Sequence, residues 1–199
     1  MKNVIIGLTG PTGAGKSKAA AAAFELGFRV IDCDFLARVA VEKGSDGLRA
    51  VKSVFGEDVI NPDGSLNRKE LARKAFSTKE NIELLNKTLL PHIVKLVKEQ
   101  ATGERVLLDA PTLFESGINS MCNATVAILA NQEIRLNRIM ERDNISKEDA
   151  ILRISAGKND EYYINLADFT VYNNGDGESY TQSFKEILLK ILNKENYNG

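Results

Sequence analysis

The sequence predicts an α/β chain: a doubly wound, five-stranded parallel sheet, interrupted by an all-helical insert and carrying a helical lid. Three observations predict it. Short apolar, β-branched runs recur at residues 4–9, 29–32, 104–109, 124–130 and 169–172, each about the length of a buried strand. Helix-forming stretches separate these runs and no long hairpin joins two of them, the alternation expected of a parallel sheet. Between the second and third runs, from Phe35 to about Gln100, the pattern is mostly helical and contains no strand.

Each element has a local reason. The first run, Val4-Ile5-Ile6-Gly7-Leu8-Thr9, meets glycines at positions 10, 13 and 15. Residues 17–26 are rich in alanine, a strong helix former, and Gly27 ends them. In the insert, Asn61-Pro62-Asp63-Gly64 has the composition of a turn. Leu84, Leu85, Thr88, Leu89 and, after Pro91, Val94 and Val97 suggest amphipathic faces. Residues 132–143 predict a charged helix with Ile134, Ile139 and Met140 as its apolar positions. Ser146 with Asp149 three residues on marks a further helix start. Asn173-Asn174-Gly175 turns the chain out of the last strand, and residues 180–192 predict a closing amphipathic helix.

Composition excludes several classes. The 199 residues suit one well-buried α/β core with an insertion, and 43% hydrophobic with 27% charged residues is ordinary for a soluble domain. A net charge of −1 offers no global basic field for nucleic acid or an anionic membrane. Any anionic ligand must be held by local charges and backbone N–H groups. Two cysteines, Cys33 and Cys122, are too few for a disulfide framework or structural zinc site, and one histidine, His92, excludes a His-rich metal site. The apolar stretch near the N-terminus is too short for a signal-peptide core or a span, so the chain reads as cytoplasmic.

Gly10-Pro11-Thr12-Gly13-Ala14-Gly15-Lys16-Ser17 fits G-x-x-x-x-G-K-[ST] at every defined position. Glycines let the backbone curl around an oxyanion with N–H groups pointing inward, and the following helix adds its positive end. Lys16 supplies an ammonium for β- and γ-phosphates, and Ser17 a hydroxyl for Mg²⁺. The strand before and the helix after are the context this loop requires. Bound nucleotide follows; its fate does not. Asn86-Lys87-Thr88-Leu89 lacks the aspartate of a guanine-reading Asn-Lys-x-Asp motif, and the chain is too short for a motor or transporter ATPase. A small-molecule kinase remains.

Carboxylates and arginines fill out that reading. Asp32 and Asp34 end the second strand, and carboxyl ends of strands face the ligand crevice in an open α/β sheet. A carboxylate there can take the proton of an attacking hydroxyl, or cap the next helix. Asp109 ends the third strand, where a carboxylate can hold Mg²⁺ through water. Glu115 faces either a substrate or solvent. Arg135, Arg138 and Arg142 share one helix face, with Arg153 in the next helix. Guanidinium groups suit the charge of phosphoryl transfer, and a helix bearing them can close as a lid; the alternative is a solvated face partnered by Glu141 and Asp143. Arg138 and Arg142 are the favoured pair. Cys33 and Cys122 read as packing residues rather than nucleophiles.

Together these pieces resemble the dephospho-coenzyme A kinase family over nearly the whole chain. The resemblance is carried by residues 7–17, Val30-Ile31-Asp32-Cys33-Asp34, Asn61-Pro62-Asp63-Gly64-Ser65-Leu66, Asp109-Ala110-Pro111-Thr112-Leu113-Phe114-Glu115, residues 138–143, and Ala167-Asp168 through Asn173-Asn174-Gly175. It implies transfer of the ATP γ-phosphate to the ribose 3′-hydroxyl of dephospho-coenzyme A, the last step of coenzyme A synthesis, with ATP and Mg²⁺. It also implies a nucleotide core at 1–34, 104–134 and 165–199, a helical substrate domain at 35–103 and a lid at 135–164. Asp32 falls on the family's catalytic base, Arg142 on a lid arginine and Asn174 in the loop near adenine. The residues assigned to nucleotide are Gly10 to Ser17, Lys18 and Asn174; those assigned to catalysis are Asp32, Lys16, Arg142 and Arg138; those assigned to the acceptor are Asp32, Asp34 and Glu115. Lys18 stands where the family has threonine, Leu90 where it often has histidine, and Gly157 where glutamine is common. The expected partner is the small acceptor alone, with neither nucleic acid nor membrane, on a monomer or weak homo-oligomer. A nucleoside monophosphate kinase or a nucleotide-dependent regulatory switch is the alternative.

Overall fold

The computed structural model describes residues 3–103, 105–175 and 177–197. Strands β1 (Val4–Thr9), β2 (Arg29–Asp32), β3 (Arg105–Asp109), β4 (Ala124–Leu129) and β5 (Phe169–Tyr172) form one sheet in the order β2-β3-β1-β4-β5. Glu104, the expected first residue of the third strand, lies outside the described residues. The recorded pairings are parallel: Ile6 lies opposite Leu107 and Ala124, and Val126 opposite Phe169. The helices are α1 (Lys16–Glu25), α2 (Cys33–Val39), α3 (Asp46–Phe55), α4 (Arg68–Ala75), α5 (Lys79–Gln100), α6 (Gln132–Asp143), α7 (Lys147–Ser155), α8 (Asp160–Leu166) and α9 (Gly177–Tyr197). The last helix begins earlier and ends later than its apolar periodicity suggests, because that periodicity marks only the stretch that packs on the core, from Tyr180 to Leu192.

Two compact units divide the chain: residues 1–30, 103–111 and 122–199 form the first, and residues 31–102 with 112–121 the second. In the first unit every residue of β4 is buried. Ala19, Ala22 and Ala23 of α1 share one core with Tyr180, Phe184, Leu188 and Ile191 of α9 and with Ile6, Leu107 and Ile128 of the sheet. The alanines explain themselves here: side chains of one carbon let α1 lie close to its neighbours, and larger ones from α9 fill the space.

The second unit has its own core of Val41, Leu48, Val51, Phe55, Val59, Leu71 and Ala75. Its helices start on side-chain caps: Ser45 accepts from the Leu48 N–H, Asn67 from Glu70 and Thr78 from Asn81. Asn61 to Gly64 forms the expected turn, with Gly64 at φ 84° and a single antiparallel bridge between Ile60 and Leu66. Along α5 the apolar stripe is shifted from the expected set. Ile93 and Val97 are buried and Leu85 and Leu89 pack on the core, whereas Leu84 is exposed. Positions 85, 89, 93 and 97 recur every four residues and share a face, and Leu84 lies about 100° around the helix from it.

Leu107 is fully buried in the first unit's core. Leu107→Ala is expected to cost about 2–5 kcal/mol in urea unfolding, through lost apolar transfer plus a residual cavity.

Candidate active site

The sheet order fixes where a ligand can sit. From β1 the chain crosses β3 to reach β2; from β3 it crosses β1 to reach β4. Connections therefore leave to opposite sides at the β1–β3 pair, and the crevice opens at the carboxyl ends of those two strands. Gly10 follows β1 there, and Asp109 ends β3 opposite Leu8. The Ala110 N–H donates to Leu8 O at 3.0 Å and the Thr9 hydroxyl to Pro111 O at 3.2 Å, which joins the two strand ends.

The loop between β1 and α1 has the backbone its glycines allow. Gly10, Gly13 and Gly15 have φ of 140°, 79° and 100°. A Cβ at Gly10 would come 2.1 Å from Ile128 O, and one at Gly15 2.3 Å from Asn173 Nδ2. The cradle is thus closed to side chains at both ends. Lys16 donates from Nζ to Gly10 O at 2.9 Å across the mouth of the loop. Ser17 and Lys18 are exposed at the start of α1.

The arginines divide into two kinds. Arg135 is 4% exposed; its Nε donates to Thr12 O at 2.9 Å and its guanidinium pairs with Asp160 at 3.2 Å. Burial pushes its pKa down and Asp160 opposes the shift. Arg138 donates to Gly13 O and Ala14 O at 3.4 Å and to Asn173 O and Oδ1 at 3.2 Å. Both brace the loop. Arg142 is exposed, with Nε and Nη2 on Asp143 at 2.7 and 2.9 Å, and Arg153 pairs with the same carboxylate. The hydrogen bond from Arg142, then the charges of Arg142 and Arg153, hold the Asp143 carboxyl below its ordinary value. The trio is therefore intact at neutral pH and is lost only as pH falls through that lowered value. Two cations thus share the one Asp143 carboxylate at the end of α6.

Asn173 is 2% exposed and donates from Nδ2 to Ala14 O at 2.8 Å. Asn174 is exposed, its Oδ1 accepting from the Asn131 N–H at 2.7 Å. The first unit thus gathers the loop, Asp109, Arg135, Arg138, Arg142 and Asn174. Asp32, Asp34 and Glu115 belong to the second unit. Asp32 is exposed and caps α2, its Oδ1 accepting from the Phe35 N–H at 2.9 Å. Asp34 is half-buried in the first turn of that helix. Glu115 is half-buried, its backbone carbonyl accepts from Asn86 Nδ2 at 2.8 Å, and its Oε2 is buried without a hydrogen bond from any described residue. That oxygen does not simply face solvent. Wholly within the second unit, a groove of about 430 Å³ runs between residues 39–47 and α5, lined by Lys43, Lys95, Glu42, Glu99 and His92. Its mixed charge selects no one ligand sign.

Cys33 is buried, and burial, with Asp168 nearby, pushes the Cys122 thiol up to about 12, so neither is poised as a nucleophile. Leu90 faces Gly117, where a Cβ would meet it at 3.3 Å, and Gly157 is exposed past the end of α7. Sequence reasoning missed the grip of Tyr180, whose hydroxyl donates to Gly15 O at 3.0 Å, and the burial of Arg135. The Asn-Asn-Gly motif signalled its region but not the inward turn of Asn173. Among the described residues no helix is long and apolar enough to cross a membrane.

The sequence comparisons with known proteins agree on one family. The family model described as dephospho-CoA kinase matches residues 4–179. Dephospho-CoA kinase of Listeria monocytogenes serotype 4b is 36% identical over 192 residues, covering 94% of this chain and 94% of that protein. That of Arabidopsis thaliana is 35% identical over 193 residues, covering 94% of this chain and 83% of the relative. Among solved structures, that of TT1252 from Thermus thermophilus superposes with a TM-score of 0.76 at 30% identity, covering 96% of this chain and 98% of that one.

Replacing Gly10 by alanine is expected to lower unfolding stability by at least about 2 kcal/mol, since the new methyl meets a backbone oxygen at a φ that side chains avoid. Chemical denaturation of Gly10→Ala measures it.

Proposed function

The chain belongs to the dephospho-CoA kinase family, and from that premise we propose that it transfers the γ-phosphate of ATP to the ribose 3′-hydroxyl of dephospho-coenzyme A. A single observation carries the nucleotide half: a loop with positive φ at Gly10, Gly13 and Gly15, braced from behind and leading into the N-terminus of α1. Such a loop suits a polyphosphate, because N–H groups and the helix end both favour negative charge.

The residues divide the work as follows. Loop N–H groups and Lys16 hold the β- and γ-phosphates, the ammonium exchanging Gly10 O for a phosphate oxygen. Ser17 and Asp109 suit Mg²⁺, a hard cation that takes oxygen donors and, when bound, neutralises charge between the phosphates. Asp32, with Oδ1 fixed by the Phe35 N–H, uses its other oxygen to orient the attacking hydroxyl and take its proton. Arg142 stabilises charge spreading over the transferring group, aided by Arg153, and exchanges Asp143 for phosphate oxygens. Arg138 adds positive charge behind the loop. Residues 135–164 act as the lid, with Arg135 and Arg138 anchoring its base. Asp34 and Glu115 contact the acceptor, residues 35–103 supply most of its surface, and Asn174 lies near adenine. The setting proposed is the cytoplasm, with the protein a monomer or weak homo-oligomer.

Coupled ADP release with a panel of acceptors tests the substrate. ADP is expected with dephospho-coenzyme A and not with nucleoside monophosphates; ATP consumption independent of dephospho-coenzyme A contradicts the proposal. Asp32→Asn is expected to keep ATP affinity and lose about 10²- to 10⁴-fold in kcat, the usual contribution of a general base. Full turnover in that variant removes Asp32 from the role.

A further inference from the structure

Three buried side chains, from three separate elements, end on carbonyl oxygens of the phosphate loop. Arg135 Nε, in α6, reaches Thr12 O at 2.9 Å. Asn173 Nδ2, just past β5, reaches Ala14 O at 2.8 Å. The Tyr180 hydroxyl, in α9, reaches Gly15 O at 3.0 Å. In a planar trans peptide the N–H of the next residue points away from the preceding C=O. Drawing the oxygens of Thr12, Ala14 and Gly15 outward therefore turns the N–H groups of Gly13, Gly15 and Lys16 the opposite way. Ala14 is the exception that separates them: its own N–H donates to Pro11 O at 3.2 Å and closes the turn.

The three donors are 4%, 2% and 3% exposed, whereas loop carbonyls at a surface can be satisfied by water. Burying an arginine, an amide and a phenol to reach them is costly unless the bonds they make matter. Each donor is also secure. Burial pushes the Tyr180 phenol up, away from ionisation, so it keeps the proton it donates. Asp160 balances the Arg135 charge. Asn173 Oδ1 accepts from Arg138, which fixes which end of the amide faces the loop. Asn173 also occupies the space that a side chain at position 15 would need.

We infer that Arg135, Asn173 and Tyr180 are positioning residues for the reaction: from outside the loop they set the direction of the N–H groups that hold the nucleotide phosphates. The inference rests on the phosphate-binding role proposed above for the loop.

Tyr180→Phe tests it by removing one donor and keeping the ring in the core. Gly15 O is not orphaned, because it still accepts from the Lys18 N–H at 3.2 Å. ADP binding by calorimetry is expected to weaken by about fivefold to tenfold, the scale of one hydrogen bond. The KM for dephospho-coenzyme A should stay unchanged. Leu188→Ala is the control, since Leu188 is fully buried on the same helix and stands two turns, about 12 Å, along it from Tyr180. It should lower Tm and leave ADP affinity within about twofold, because a core change at that separation acts on folding rather than on the loop. ADP affinity in Tyr180→Phe equal to wild type overturns the inference, as does an equal loss in Leu188→Ala. A wild-type protein that binds no ADP overturns the proposed function instead, and the inference falls with it.

Discussion

The constraint on which the structure turns is a directional one: a loop of eight residues must aim several backbone N–H groups at one point. Peptide dipoles so arranged repel each other, and nothing in a short loop holds them without help. Glycine relieves the steric part, at Gly10, Gly13 and Gly15, where φ is positive. The remainder of the first unit supplies the directional part. Strand β1 delivers the loop to the switch point of the sheet. Helix α1 begins at its far end. Helix α6, the Asn173 turn and helix α9 each contribute a donor to the outer side. The core beneath then has a second purpose, since packing of α9 against α1 is what brings Tyr180 to Gly15 O.

Charge is managed locally rather than globally. A chain of net charge −1 attracts no polyanion at a distance. What it has instead is a helix N-terminus, Lys16 at the mouth of the loop, and arginines along α6. Arg135 and Arg138 are committed to the backbone. Arg142 and Arg153 are held by one exposed ion-pair cluster on Asp143. Exposed ion pairs contribute little stability and exchange partners at little cost. In the proposed reaction the committed pair keeps the loop in shape while the exchangeable pair answers to the nucleotide.

Much of this was readable from the residues. The loop was legible because positive φ at Gly10, Gly13 and Gly15 suits few other residue types, so their spacing marked its course. Strands β1, β3 and β4 were readable because burial on both faces demands nearly unbroken apolar runs; β2 and β5, at the sheet edges, are short and only partly buried. Arg135 was not, because a buried arginine looks like a surface one until its partners, Thr12 O and Asp160, are known. Tyr180 read only as the first apolar position of a helix; its hydroxyl matters through a contact 165 residues away in sequence. Asp32 read as a base in preference to a cap; the structure shows the cap, with Oδ1 accepting from the Phe35 N–H. Leu84 misled because neighbouring apolar residues on a helix face different sides.

The most direct measurement is a ¹⁵N–¹H titration of the protein with pyrophosphate, following the loop amides. If the loop is the phosphate site and its N–H groups are aimed as the outward carbonyls require, the resonances of Gly13, Gly15 and Lys16 move furthest and saturate together. Large shifts elsewhere, with those three unmoved, would contradict it.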